Sequence, residues 1–173
     1  MITFDKPLKY GLIGGLVSIT YAVLMYAMSI SIFNPLFAIL NILIIFGITI
    51  FLVVLAINKM READFGGKIT YLQALIAGFI VILIATYINS FFGYVLYGII
   101  DPEYMPRMID EFMLTMEGKV PEETFEELMN TMSENSDPIK NLLNSLWINP
   151  IVAIVISAIV SIFVKKNTTD PLA

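Results

Sequence analysis

Residues 10–58 read YGLIGGLVSITYAVLMYAMSISIFNPLFAILNILIIFGITIFLVVLAIN, 49 consecutive positions without Asp, Glu, Lys or Arg between Lys9 and Lys59. An ionised side chain at mid-membrane costs about 3 kcal/mol or more, so such a run marks chain that can lie in lipid. A helix crosses a hydrocarbon core of about 30 Å with about 20 residues. The run is long enough for two crossings, and Asn34-Pro35 divides it, since Asn caps a helix start and Pro suits the first helical position. Spans are expected near 10–32 and 36–57.

Two shorter charge-free runs come later, residues 69–100 and 141–164, with 32 and 24 positions. The first opens on Thr70-Tyr-Leu-Gln73, a capping box in which the Thr hydroxyl and the Gln amide satisfy free backbone donors reciprocally. It predicts a helix over 71–97. The second contains Pro150, and the stretch from there to Val164 would reach only about 22 Å. That helix is therefore expected over 142–164, with a kink at Pro150. The apolar part of the first span is longer than the core of a secretory leader and lacks a cleavage pattern, so it is expected to be retained.

Composition agrees with this partition. The chain has 173 residues, 58% apolar and 14% charged, and a mean hydropathy of +0.83. Soluble domains carry about 45–50% apolar and 25% charged residues. With no His and no Cys, a His general base, a Cys nucleophile and a zinc site built on those ligands are excluded. No phosphate-binding Gly loop, dinucleotide fingerprint, zinc-protease helix or nucleophile elbow occurs. The chain is expected to be no enzyme, with no catalytic residue, no metal ligand and no cofactor.

Lys and Arg concentrate in short cytoplasmic segments of membrane proteins. Lys6, Lys9, Lys59, Arg61, Lys68, Lys165 and Lys166 fall on one side of a four-span threading, against Arg107, Lys119 and Lys140 on the other. Both termini are therefore expected in the cytoplasm. The segment 101–145 is expected outside, and its three basic and eleven acidic residues give it a net charge of −8.

That outer segment is patterned. Met105, Met108, Ile109, Phe112, Met113 and Met116 recur at helical spacing, and after Gly118 a second stripe of Phe125, Leu128, Met129 and Met132 lies opposite Glu122, Glu123, Glu126 and Glu127. Two amphipathic helices are expected within about 101–140. Thioether sulfurs could collect Cu(I), but these Met residues all lie on stripes that must be buried anyway, which favours packing. A calcium loop pattern is missing, so the carboxylates read as a solvated face. Interfacial helices usually carry Lys and Arg, whereas these carry Glu. Contact with the bundle or with a partner protein is favoured over the membrane surface.

The spans hold no ionisable chemistry of the kind that marks ion pathways. Asn41, Gln73 and Asn89 could line a path only between protomers, the alternative reading being a subunit of an oligomeric transporter or channel. Small residues explain more: Gly11 and Gly15 on helix one, Gly78 on helix three, and Ser157 and Ser161 on helix four form seams that let helices approach closely. Tyr94, Tyr97 and Trp147 mark one interface and Tyr10 and Tyr71 the other. An aromatic cage for a cation would need a convergence that spacing does not supply.

The run Asn58-Lys-Met-Arg61-Glu62-Ala-Asp-Phe-Gly66-Gly67-Lys-Ile-Thr70-Tyr-Leu-Gln73-Ala74-Leu, then Tyr87-Ile-Asn89 and Ile100-Asp101-Pro102-Glu103-Tyr104, resembles the domain of unknown function 4199 family. Tyr10-Gly11-Leu, the acidic loop and a last span ending in Lys165-Lys166 are similar too. The resemblance implies a small four-span protein of the bacterial inner membrane, mainly in Bacteroidota, with a periplasmic loop between spans three and four. It implies no activity. Arg61, Glu62, Gly67, Gln73, Asp101 and Pro102 are the positions of unknown role within the matching pattern.

The expectation is thus one all-α integral membrane domain over 1–173, a four-helix transmembrane bundle with a periplasmic amphipathic helical hairpin between helices three and four. Its expected role is that of a non-enzymatic accessory or scaffold protein that uses the acidic, Met-rich loop for contacts. Lipid is the expected surround, with a second copy or another membrane protein as partner, and nucleic acid is not expected.

Overall fold

In the computed structural model, residues 4–30 and 35–165 are described. Four long apolar helices are present: α1 (Asp5–Ala27), α2 (Pro35–Asp64), α3 (Tyr71–Val95) and α6 (Pro138–Val164), with α3 running on through a π turn, Leu96–Ile100. Between α3 and α6 lie two shorter helices, α4 (Tyr104–Met116) and α5 (Glu122–Asn135). Each of the four long helices is long and apolar enough to cross a membrane. Leu16, Leu43, Phe51, Ile151 and Phe163 stand exposed on their outer faces, where lipid replaces water as the surrounding medium. The protein is an all-α, multi-pass membrane protein.

α3 is the central helix and packs against α1, α2 and α6. The core lies toward the α2–α3 turn and contains Val53, Ile57, Met60, Ile69, Ala74, Val81, Ile82 and Val160. On α1, Gly11 and Gly15 face α3: a Cβ at Gly11 would stand 2.9 Å from Ile84 Cβ, and one at Gly15 2.7 Å from Ile88 Cδ1. Gly78 meets α6 in the same way, 3.0 Å from Ser157 Cβ. Close backbone approach gives these helices dispersion contacts where no hydrophobic force acts between them.

Helix boundaries depart from the hydropathy pattern in instructive ways. α1 starts at Asp5 rather than near residue 10, with Pro7 in its first turn where no backbone donor is lost. It stops at Ala27 rather than near residue 32, because Ser29 adopts a left-handed φ of 50° and Ile30 N–H closes onto Met25 C=O at 3.2 Å. This is a Schellman stop with Ser where Gly is usual. α2 continues to Asp64 rather than ending near residue 57, since the chain can leave the lipid without leaving the helix. Asn34, expected to cap α2, and Lys166 lie outside the described residues.

α6 starts at Pro138, before the expected Leu142, because Asp137 caps it: its carboxylate accepts from Ile139 N–H at 2.9 Å and Lys140 N–H at 3.1 Å. The helix runs through Pro150. Proline removes the hydrogen bond to the carbonyl four residues back, which is that of Leu146. The Tyr87 hydroxyl of α3 donates to that carbonyl at 3.1 Å, supplying the partner that proline withholds.

Candidate functional site

At the end of the bundle that carries the α4–α5 hairpin, α1, the π turn and α4 converge. A π turn holds one more residue per turn than an α-helix and so rotates the chain beyond it. Here Asp101 N–H closes it onto Leu96 C=O at 2.8 Å. Asp101 thereby faces α1, where the Tyr26 hydroxyl donates to its Oδ2 at 3.0 Å. From the far side Arg107 of α4 donates with both terminal nitrogens, at 2.7 Å to Oδ2 and 3.2 Å to Oδ1. Such a fork on a carboxylate is geometrically specific as well as charge-assisted.

The electrostatics follow from these bonds. Arg107 holds the Asp101 carboxyl below the usual carboxylate range, helped by the Tyr26 hydroxyl and the Glu103 backbone N–H and opposed by desolvation. The Arg107 guanidinium is held more firmly protonated by Asp101 in return. Tyr104 is buried at 4% exposure, and burial raises its phenol above the ordinary value. Its ring lies 5.0 Å from that of Tyr26, tilted, and stacks on Tyr97 at 5.4 Å. Tyr26, Ser29, Asp101, Tyr104, Arg107 and Glu111 are among the residues lining a cleft of about 380 Å³. The ion pair and the aromatic stack fasten the start of α4 to the bundle.

The hairpin carries the expected stripes on its two helices. Met108, Ile109 and Met113 of α4 are buried, while Met105, Phe112 and Met116 are partly covered. On α5 no residue is buried; Phe125, Leu128 and Met132 are half-buried and Met129 is exposed. Two of the Met residues considered for Cu(I) are thus buried, and no group of His, Cys, Asp and Glu suited to a metal occurs among the described residues.

The other positions singled out from the sequence lie apart. Arg61 is in the last turn of α2, and its carbonyl accepts from Gly67 N–H at 2.9 Å. Glu62 is exposed, 3.8 Å from Lys59. Gly67 takes a φ of 88°, open to glycine and strained for other residues. Gln73 completes the capping box, its Oε1 accepting from Thr70 N–H at 2.9 Å. These form the α2–α3 turn at the far end of the bundle, near the Lys6–Asp64 ion pair of 2.6 Å that ties α1 to α2. Only Asp101 of the six enters the cluster, and Pro102 beside it is exposed. Ser157 and Ser161 are fully buried on α6; Ser157 bonds back to Ile154 C=O at 3.1 Å, and Ser161 Oγ has no hydrogen-bond partner among the described residues.

Asn89 and Ser90 line a second cleft of about 240 Å³ with Asn141 and Tyr97, and Asn149 Nδ2 donates to Ser90 Oγ at 3.1 Å. The sequence alone does not single out Tyr26 and Arg107 as partners of Asp101. Its one usable signal is a lone Asp at the end of a long apolar run with a lone Arg six residues on.

Four apolar spans, three of them packed around the central α3, with an acidic helical hairpin clamped at one end, define a small polytopic membrane protein. A family model described as "Protein of unknown function (DUF4199)" matches residues 9–166, and the chain belongs to that family. No curated protein and no solved structure matches it.

Proposed function

We propose that the chain is a non-enzymatic accessory or scaffold protein of the bacterial inner membrane, with cytoplasmic termini and a periplasmic α4–α5 hairpin whose second helix receives a partner protein. The observation that carries this reading is the contrast within the hairpin. α4 is anchored by Asp101, Arg107 and Tyr104 and buries three stripe residues, whereas α5 buries none and carries five Glu without Lys or Arg. A helix that keeps an apolar stripe partly uncovered beside an acidic face suits a partner with an apolar groove and a basic rim. The threading is supported by the seven-to-three division of Lys and Arg between the two sides.

A photo-crosslinking residue placed at Met129 in intact cells tests the contact. A discrete adduct that disappears when the crosslinker is moved to lipid-facing Leu43 is expected. Unmodified protein alone at Met129 would overturn the reading.

The second reading, a subunit of an oligomeric transporter or channel, is favoured by one feature, the exposed Asn89 of α3 at the cleft of about 240 Å³. Vesicles holding the purified protein would then pass small solutes, and Asn89→Leu would seal them.

A further inference from the structure

We propose that the cleft between Tyr26, Asp101 and Glu111 binds an ammonium–phosphodiester zwitterion, the headgroup chemistry of an ethanolamine phospholipid. This does not rest on α5 having a protein partner. The cleft of about 380 Å³ sits where α1 ends at Ala27 and the third span ends at Ile100, the depth at which headgroups lie.

Its chemistry carries both signs. Arg107 spends one N–H from each terminal nitrogen on Asp101, and a guanidinium has five, so three remain for phosphodiester oxygens. Glu111 stands one helical turn beyond Arg107 on α4, exposed, its carboxylate in no ion pair or hydrogen bond with a described residue, and its Cβ about 6 Å from that of Arg107. Its carboxylate can accept from a primary ammonium, beside the Tyr26 ring, whose π face also favours a cation. Asp101, Glu111 and Arg107 leave the cleft with one net negative charge. An anionic headgroup would meet that charge and the acidic hairpin, and a simple cation would face the free donors of Arg107. A zwitterion answers both.

A second observation favours a lipid over a soluble ligand of the same chemistry. An apolar groove of about 500 Å³ lies between Ile19 of α1 and Ile88, Phe91, Phe92 and Val95 of α3. Ile19 precedes Tyr26 by two helical turns, so it shares that face of α1 about 10 Å deeper in the membrane. An acyl chain of the lipid held above would occupy it.

The test is native mass spectrometry of the full-length protein in mild detergent with phosphatidylethanolamine and phosphatidylglycerol of identical chains. About tenfold preferential retention of phosphatidylethanolamine is expected, equivalent to about 1.4 kcal/mol. Glu111→Gln should abolish the preference without shifting the melting midpoint, because that side chain supports no bond in the fold. Ile19→Trp, which fills the groove, should weaken lipid retention. Displacement by soluble glycerophosphoethanolamine as effective as by the lipid would keep the zwitterion site and overturn the lipid as its source. Equal retention of the two lipids, or a preference that survives Glu111→Gln, would overturn the site.

Discussion

Tyr26 and Asp101, 75 positions apart in the chain, share a hydrogen bond of 3.0 Å across the mouth of the bundle. The bond joins the last turn of the first span to the residue that follows the third, and Arg107 extends it to α4. Replacing Asp101 by Asn removes the charge that Arg107 grips while leaving the shape. The backbone amides of 104–116 should then exchange with solvent distinctly faster, with α3 and α6 unchanged, when hydrogen exchange is read peptide by peptide. Unchanged protection of α4 would separate the hairpin's anchoring from this cluster.

The same cluster sets a pH dependence with a definite sign. The folded Asp101 carboxyl titrates below its ordinary range, chiefly through Arg107, so its contribution is complete above the unfolded value and is lost as pH falls through the lowered folded one. The anchor should hold from pH 8 to pH 5 and loosen only in acid below about pH 4. Exchange of 104–116 followed across that range checks this, and loosening between pH 6 and pH 8 would contradict it.

Two glycines make a matched pair. At Gly15 an added Cβ would sit 2.7 Å from two atoms of Ile88, whereas at Gly47 it would meet nothing within 4 Å. Gly15→Ala should destabilise by about 1–3 kcal/mol as α1 is pushed from α3. Gly47→Ala should stabilise by about 0.5–1 kcal/mol through helix propensity. Thermal unfolding in one detergent measures both.

Tyr87 and Pro150 should be coupled. In the natural background Tyr87→Phe strips the Leu146 carbonyl of its donor and should cost about 1 kcal/mol. With Pro150→Ala in place the helix supplies its own N–H, and the same change should cost close to nothing. A double-mutant cycle reads the difference directly, and additive effects would remove the assigned role of Tyr87.

Much of this architecture is legible because charge is excluded from lipid. The gaps between Lys9 and Lys59, Lys68 and Asp101, and Lys140 and Lys165 locate four helices, and the Met and Phe periodicity locates the hairpin. Ends are less legible, because hydropathy reports where lipid stops and hydrogen bonding decides where a helix does. α2 thus runs on into Lys59, Arg61 and Asp64, and α1 halts at Ser29 inside an uncharged run. The candidate site is nearly invisible in the sequence. Asp101 stands out only as a position of unknown role in the family pattern, since nothing in Leu96–Ile100 announces a π turn, and the turn is what aims Asp101 at Tyr26. Tyr97 reads as an interfacial aromatic, and its stacking on Tyr104 is not visible in the sequence. The capping box of Thr70 and Gln73 is legible because its partners are three residues apart; the Tyr26 and Asp101 pairing depends on the whole fold.

The threading of the chain is the claim on which the rest depends, and single-Cys accessibility labelling tests it most directly, in a sequence that has no Cys of its own. Glu126→Cys on α5 and Ala63→Cys near the end of α2 both place the thiol at exposed positions. In intact cells, a membrane-impermeant maleimide should modify Glu126→Cys and leave Ala63→Cys untouched until the membrane is permeabilised. Modification of Ala63→Cys alone would turn the protein over in the membrane and put the acidic hairpin in the cytoplasm.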